Sequence, residues 1–143
     1  MGSGNQQIEN ELKTLQSQFN INFALDLGYK EYLSHQIYAS ADFLLMPSRV
    51  EPCGLNQMYS MRYGTIPIVR YTGGLRDTVQ DISTGGSGLN FTNAGAEDTV
   101  HAIKRALHIY SQKDLMKGLI YSNMSFDFSW EKSAKKYLEM YNY

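Results

Sequence analysis

The chain carries a single cysteine, Cys53, in 143 residues. That excludes an internal disulfide and fits a reducing cytoplasm. Charge of one sign is also missing: 13 basic side chains face 14 acidic ones, for a formal net charge of −1. This balance removes the electrostatic case for nucleic acid or an anionic membrane surface as a partner. No stretch approaches the roughly 18 consecutive apolar residues of a membrane span. No charged segment followed by an apolar stretch opens the chain, so no signal peptide is expected. The three histidines, His35, His101 and His108, show no metal-ligand spacing, and no metal or cofactor is expected. There is no internal repeat and no linker long enough to divide the chain, which by length is one domain over residues 1–143.

What is present is ordinary for a soluble globular protein: 43% hydrophobic and 19% charged residues. A chain of this length can bury about 70% of its unfolded surface without covalent staples. Eleven Tyr and seven Met are many; they suit core and half-buried surface, with a dedicated sugar-binding surface as the alternative.

Hydrophobic spacing orders the elements. Ile8, Leu12, Leu15 and Phe19 share one helical face, after a turn at Gly2–Asn5 in which Asn5 can cap. Ile21–Leu27 reads as a short strand ended by Gly28, and Tyr29–Ser40 as a helix. Asp42–Met46, closed by Pro47, has no alternation and suits a parallel strand buried on both faces. A helix over Gly54–Tyr63 is stopped by Gly64, and a strand follows at Ile66–Val69. Pro67 is an unfavourable residue for the middle of a sheet. After Gly73-Gly74 come one helical turn at Leu75–Val79, a flexible Thr84–Gly88 loop and a strand at Leu89–Phe91. Helices are expected near Ala94–Ser111 and Asp114–Tyr121, with Trp130, Ala134, Tyr137, Leu138 and Tyr141 forming the apolar face of a last one. Alternation at this spacing predicts an α/β fold: a Rossmann-like parallel sheet flanked by helices. A strand would normally precede the opening helix, so the domain is expected to be truncated at its start.

Three segments sit where ligands bind in such a sheet, at the carboxyl ends of strands. Ser48-Arg49-Val50-Glu51-Pro52-Cys53-Gly54-Leu55-Asn56 opens a helix. Backbone amides there have no intrahelical partner and suit an anion, and Gly54 permits close approach. Glu51 would repel phosphate, so sugar hydroxyls or developing positive charge suit it better; the alternative is that Glu51 and Pro52 merely start the helix. Thr72-Gly73-Gly74 is a second turn, able to lie against a ligand or simply to turn the chain. It is neither a Walker loop nor a G-x-G-x-x-G turn. Tyr29, after Gly28, can stack on a nucleobase or be core. Cys53 has no histidine among the turns and is not expected to act as a nucleophile. Arg62, Arg70 and Arg76 read as surface or paired arginines.

Together these words resemble one family. Ala41-Asp42, Pro47-Ser48-Arg49, Glu51 to Gln57, Tyr63-Gly64-Thr65, Pro67, Arg70, Thr72 to Leu75, Asp77-Thr78-Val79 and Asp127 to Trp130 are similar to the bacterial and plant glycogen and starch synthases. Those are retaining glucosyltransferases of the two-domain GT-B type. The resemblance implies the second half of a donor-binding domain, with ADP-glucose or UDP-glucose as donor and an α-1,4-glucan as acceptor. It implies Glu51 beside the donor glucose and Ser48 and Arg49 at the same turn. It also implies Cys53, Gly54, Leu55 and Asn56 around the diphosphate, Thr72, Gly73 and Gly74 against the donor, and Tyr29 on the adenine. Other GT-B transferases usually carry a second Glu eight residues after the first; Tyr59 stands there, which favours the synthases. Complete members are much longer, so the chain is expected to be inactive alone, to bind nucleotide weakly at best, and to self-associate through a truncated sheet edge. A non-catalytic nucleotide-binding or interaction module is the other reading.

Overall fold

The computed structural model describes residues 2–141. The chain divides into two compact units after Ile37.

In the first unit, α1 spans Gln6–Gln18. Its start follows from Asn5, whose side-chain oxygen accepts from the amides of Gln7 at 2.8 Å and Ile8 at 3.4 Å. No residue of α1 is buried. Ile21–Leu27, expected as a strand, is not one. Its sole ladder contact among the described residues is an isolated parallel bridge of Leu27 with Gly2, through Gly2 N–Asp26 O and Gly28 N–Gly2 O bonds. A strand needs a neighbour along its length, and here the neighbour is one residue long. A second helix, α2 (Glu31–Ser40), carries the division between the units.

The second unit is built on a parallel sheet of three strands, β1 (Phe43–Met46), β2 (Ile66–Arg70) and β3 (Leu89–Phe91), in that spatial order. Helix α3 (Asn56–Arg62) and the single turn α4 (Leu75–Thr78) follow β1 and β2. Three helices follow β3: α5 (Ala96–Ser111), α6 (Lys113–Ser125) and α7 (Trp130–Tyr141). The period-2 alternation of β2 divides the core. Ile66 and Ile68 join Leu89, Phe91 and the inner faces of α5 and α6, while Val69 packs with Met46, Met61, Leu75 and Val79 on the opposite face.

The structure refines several expectations. Pro67 does sit in the central strand. Ile66 donates to Asp42 O on the β1 side, so by alternation Pro67 turns its nitrogen toward β3, opposite Gly88, one residue before β3 begins. No ladder bond is lost. β1 is the outer strand, with Phe43 and Leu44 half-buried and Leu45 39% exposed, rather than buried on both faces. The Thr84–Gly88 segment is tethered rather than loose. Ile82–Thr84 form a 3-10 turn, and Gly86, Ser87 and Gly88 donate back to Asp81 O or Gln80 O at 3.0–3.1 Å. A methyl group at Gly88 would approach Pro67 O to 2.5 Å, so that glycine serves contact. Helix α7 buries none of its residues, and Trp130 is 85% exposed. Helix α6 also runs past its expected end, because Asn123 is fully buried and donates to Ser87 O at 2.8 Å. Among the described residues no helix is long and apolar enough to cross a membrane.

One polar cluster ties β3 to α5. Asp81 accepts from Arg105 Nη2 at 2.6 Å and Nη1 at 3.1 Å, from the Asn90 amide at 2.8 Å and from Ser83 N and Oγ. Burial pushes its carboxyl up, but the bonds from Arg105, Asn90 and Ser83 outweigh this and hold it far below the usual aspartate range. A carboxyl lowered in this way adds stability that is full above the ordinary value of 3.8 and is lost as pH falls toward its lowered value. Asp81→Asn should therefore cost about 1–3 kcal/mol at neutral pH, read by thermal unfolding. The gap from the unsubstituted chain should shrink only below the ordinary aspartate range. A gap that is constant down to strongly acidic pH would contradict this account.

Candidate functional site

The two turns expected at the strand ends are in contact. Gly73, at φ +48°, and Gly74 follow β2; Glu51, Pro52 and Cys53 follow β1. The Gly74 amide donates to Glu51 O at 3.0 Å. A methyl group at Gly73 would stand 1.8 Å from Glu51 O, and one at Gly74 would stand 2.4 Å from Cys53 O. No side chain fits between the two stretches of backbone. The glycine pair thus serves the approach of one turn to the other, a role the sequence reading gave to a ligand or a simple turn.

A buried amide locks this contact. Gln57 is fully buried on α3. Its Nε2 donates to Gly54 O at 2.9 Å, Cys53 O at 3.3 Å and Thr78 Oγ1 at 3.0 Å, and Thr78 Oγ1 donates to Gly74 O at 2.9 Å. Its Oε1 is buried and meets no donor among the described residues. Gly54 takes φ +75°, in the left-handed region open to glycine, and a Cβ there would meet Gln57 Oε1 at 2.6 Å. The helix begins only at Asn56, two residues later than expected. Among the described residues no acceptor meets the amides of Cys53, Gly54, Leu55 or Asn56. Cys53, Leu55 and Asn56 are exposed. This leaves a short arc of free N–H groups at the open end of the sheet, suited to an anion.

Glu51 is half-buried, and its Oε2 accepts from Ser48 Oγ at 3.2 Å. Arg49 is exposed, while its carbonyl and that of Ser48 are held by Arg70. Thr72 is half-buried and donates its amide to Arg70 O at 2.8 Å. A hollow of about 600 Å3 lies elsewhere, between the Ile82–Ser83 turn and α5.

Comparison with known proteins gives the family. The family described as "Glycosyl transferases group 1" matches residues 1–120. The chain belongs to that glycosyl transferase family. Glycogen synthase from Flavobacterium johnsoniae is 49% identical over 142 residues, covering 99% of this chain and 30% of that protein. Glycogen synthase from Clostridium perfringens is 45% identical over 144 residues, with the same coverage. The catalytic domain of starch synthase IV from Arabidopsis thaliana, bound to ADP and acarbose, superimposes with a TM-score of 0.87 at 40% identity, over 99% of this chain and 30% of that one. Sucrose-phosphate synthase from Thermosynechococcus elongatus follows at 0.68 and 25%, over 99% and 36%. The chain thus spans about 30% of the length of the curated relatives it matches. The parallel sheet with helices on both faces is the GT-B architecture expected from the sequence.

In this member of the family, Ser48, Arg49, Glu51, Cys53, Gly54, Leu55, Asn56, Thr72, Gly73 and Gly74 come together in the second unit. Tyr29 belongs to the first unit and is 76% exposed. Sequence reasoning gave no role to Gln57, read Leu75–Val79, with Thr78, as structural, and took Arg70 for a surface or paired arginine. A polar Gln two turns before the helix-stopping Gly64, and an Arg ending an apolar strand, were the available signals. Gly74→Ala should cost about 1–3 kcal/mol by overpacking, whereas Gly118→Ala, inside α6 where a methyl group meets nothing within 4 Å, should be neutral or stabilising. Equal melting temperatures for the two variants would refute the backbone contact.

Proposed function

We propose that this chain carries the donor-binding turns of a cytoplasmic glycogen or starch synthase. The parent reaction moves glucose from ADP-glucose or UDP-glucose to the non-reducing end of an α-1,4-glucan with retention. The free amides of Cys53, Gly54, Leu55 and Asn56 hold the diphosphate, and a leaving diphosphate gains most from donors fixed in advance. Thr72, Gly73 and Gly74 close the second side, with Ser48 and Arg49 completing the first turn. Glu51, held by Ser48, stands beside the donor glucose and stabilises the positive charge that develops on the sugar. Tyr29 stacks on the adenine. The observation that carries the proposal is the direct contact between the Glu51–Gly54 and Gly73–Gly74 backbones at the carboxyl ends of neighbouring strands.

Two facts support the synthase reading over other GT-B transferases. Tyr59 occupies the position eight residues after Glu51, and the starch synthase superimposes better, and at higher identity, than the sucrose-phosphate synthase. Because the chain spans about 30% of its relatives, we propose that it binds nucleotide weakly by itself and transfers glucose only together with the remaining parts.

A chimera tests the reading: this chain replaces the 142 matching residues of the Flavobacterium johnsoniae glycogen synthase. Glucosyl transfer from ADP-glucose is expected. Glu51→Ala in the chimera should lower kcat about 100-fold or more while the ADP dissociation constant, read by calorimetry, stays nearly unchanged. Equal losses in both, or no transfer by the parent chimera, would refute the assignment. Calorimetry of the chain with ADP, UDP and GDP should show a preference for one nucleotide; no heat at millimolar concentration would point to a structural fragment.

A further inference from the structure

We propose that Arg70 is the positioning residue of the two-turn site, stapling the carboxyl ends of all three strands and so setting where Glu51 points. The part concerning Glu51 rests on the donor-site reading above; the staple does not.

Arg70 ends the central strand β2 and is half-buried. Each of its three guanidinium nitrogens donates to a backbone carbonyl. Nε reaches Ser48 O at 2.8 Å, Nη2 reaches Arg49 O at 2.7 Å and Nη1 reaches Thr92 O at 3.3 Å. Ser48 and Arg49 lie just past β1, and Thr92 just past β3. One planar group therefore joins the exits of both flanking strands to its own. The ion pairs among the described residues are Lys30–Asp26 and Arg105–Asp81, so the Arg70 charge is met by carbonyl dipoles rather than by a carboxylate. A rigid planar fork is pre-organised to address oxygens placed on different segments, whereas the ammonium of lysine is a compact charge on a flexible stem.

The staple continues into the site. Ser48, whose carbonyl Arg70 holds, donates its hydroxyl to Glu51 Oε2 at 3.2 Å. Glu51 O in turn receives the Gly74 amide. Arg70 thus acts through Ser48 on the one carboxylate of the site. The segment that carries the amides of Cys53 to Asn56 is held by a different device, Gln57, whose Nε2 donates to the carbonyls of Cys53 and Gly54. Loss of Arg70 should therefore disturb Glu51 far more than nucleotide binding.

Nitrogen NMR of the unsubstituted chain gives the first test. Three bonds restrain rotation of the guanidinium, so the Nη protons of Arg70 should be resolved and slow to exchange with water. A single averaged, fast-exchanging signal would overturn the staple without any variant. In Arg70→Lys, the Gly74 amide should exchange about tenfold faster or more, with the β2 amides of Ile68 and Val69 little changed. Unchanged Gly74 exchange, or equal acceleration throughout, would overturn the proposal. In the chimera, Arg70→Lys should lower kcat about tenfold or more with the ADP dissociation constant nearly unchanged; parallel losses would overturn the positioning role. A parent chimera without activity would sink the donor-site reading instead, and the exchange data would still decide the staple.

Discussion

The arrangement depends on one steric constraint: the main chain at Gly73 and Gly74 touches the main chain at Glu51 and Cys53 with no room for a Cβ. Backbone in direct contact must satisfy its own polar groups. Gly74 N does so on Glu51 O, and Gln57 and Thr78 take the carbonyls of Cys53, Gly54 and Gly74. The left-handed turn at Gly54 and the late start of α3 are consequences of fitting the chain into that contact. The free amides beside Glu51 exist because this segment is held from behind by a buried side chain rather than by helical bonds.

The sheet beneath is small, with strands of four, five and three residues. Its rigidity comes from β2, whose Ile66, Pro67, Ile68 and Val69 are all buried and which feeds a separate apolar cluster on each face. The two polar ties sit at opposite tasks. Asp81 with Arg105 fastens β3 to the helix that covers it, while Arg70 gathers the strand exits. The second is a cation facing carbonyls, and the first is a cation facing a carboxylate half-removed from water. Each lets a charged side chain stay where apolar packing alone would leave backbone polar groups unmatched.

Much of this was legible in the residues. The continuous apolar runs at Phe43 and Ile66 marked parallel strands, and Gly73-Gly74 and Gly54 marked the turns. Three kinds of feature were not legible. Ile21–Leu27 has strand-like composition, but a strand is defined by its neighbour, which local sequence does not show. The glycines at Gly86 and Gly88 look like flexibility in one dimension and serve close packing in three. Gln57, Thr78 and Arg70 act across 21 or 22 residues of chain, a range at which spacing arguments carry no information. The apolar stripe of α7 was read correctly as a stripe, yet burial depends on a surface to meet it, and none of its residues is buried among those described.

The proline of the central strand has a consequence beyond its tolerance there. Pro67 lacks the one donor that a longer β3 would need as it extended back toward Gly88. Sliding that strand along its neighbour in the same direction would set an acceptor against a ring carbon. Pro67 therefore acts as a stop that indexes one strand against the other, and the alignment of the loops above the sheet is inherited from a missing hydrogen atom.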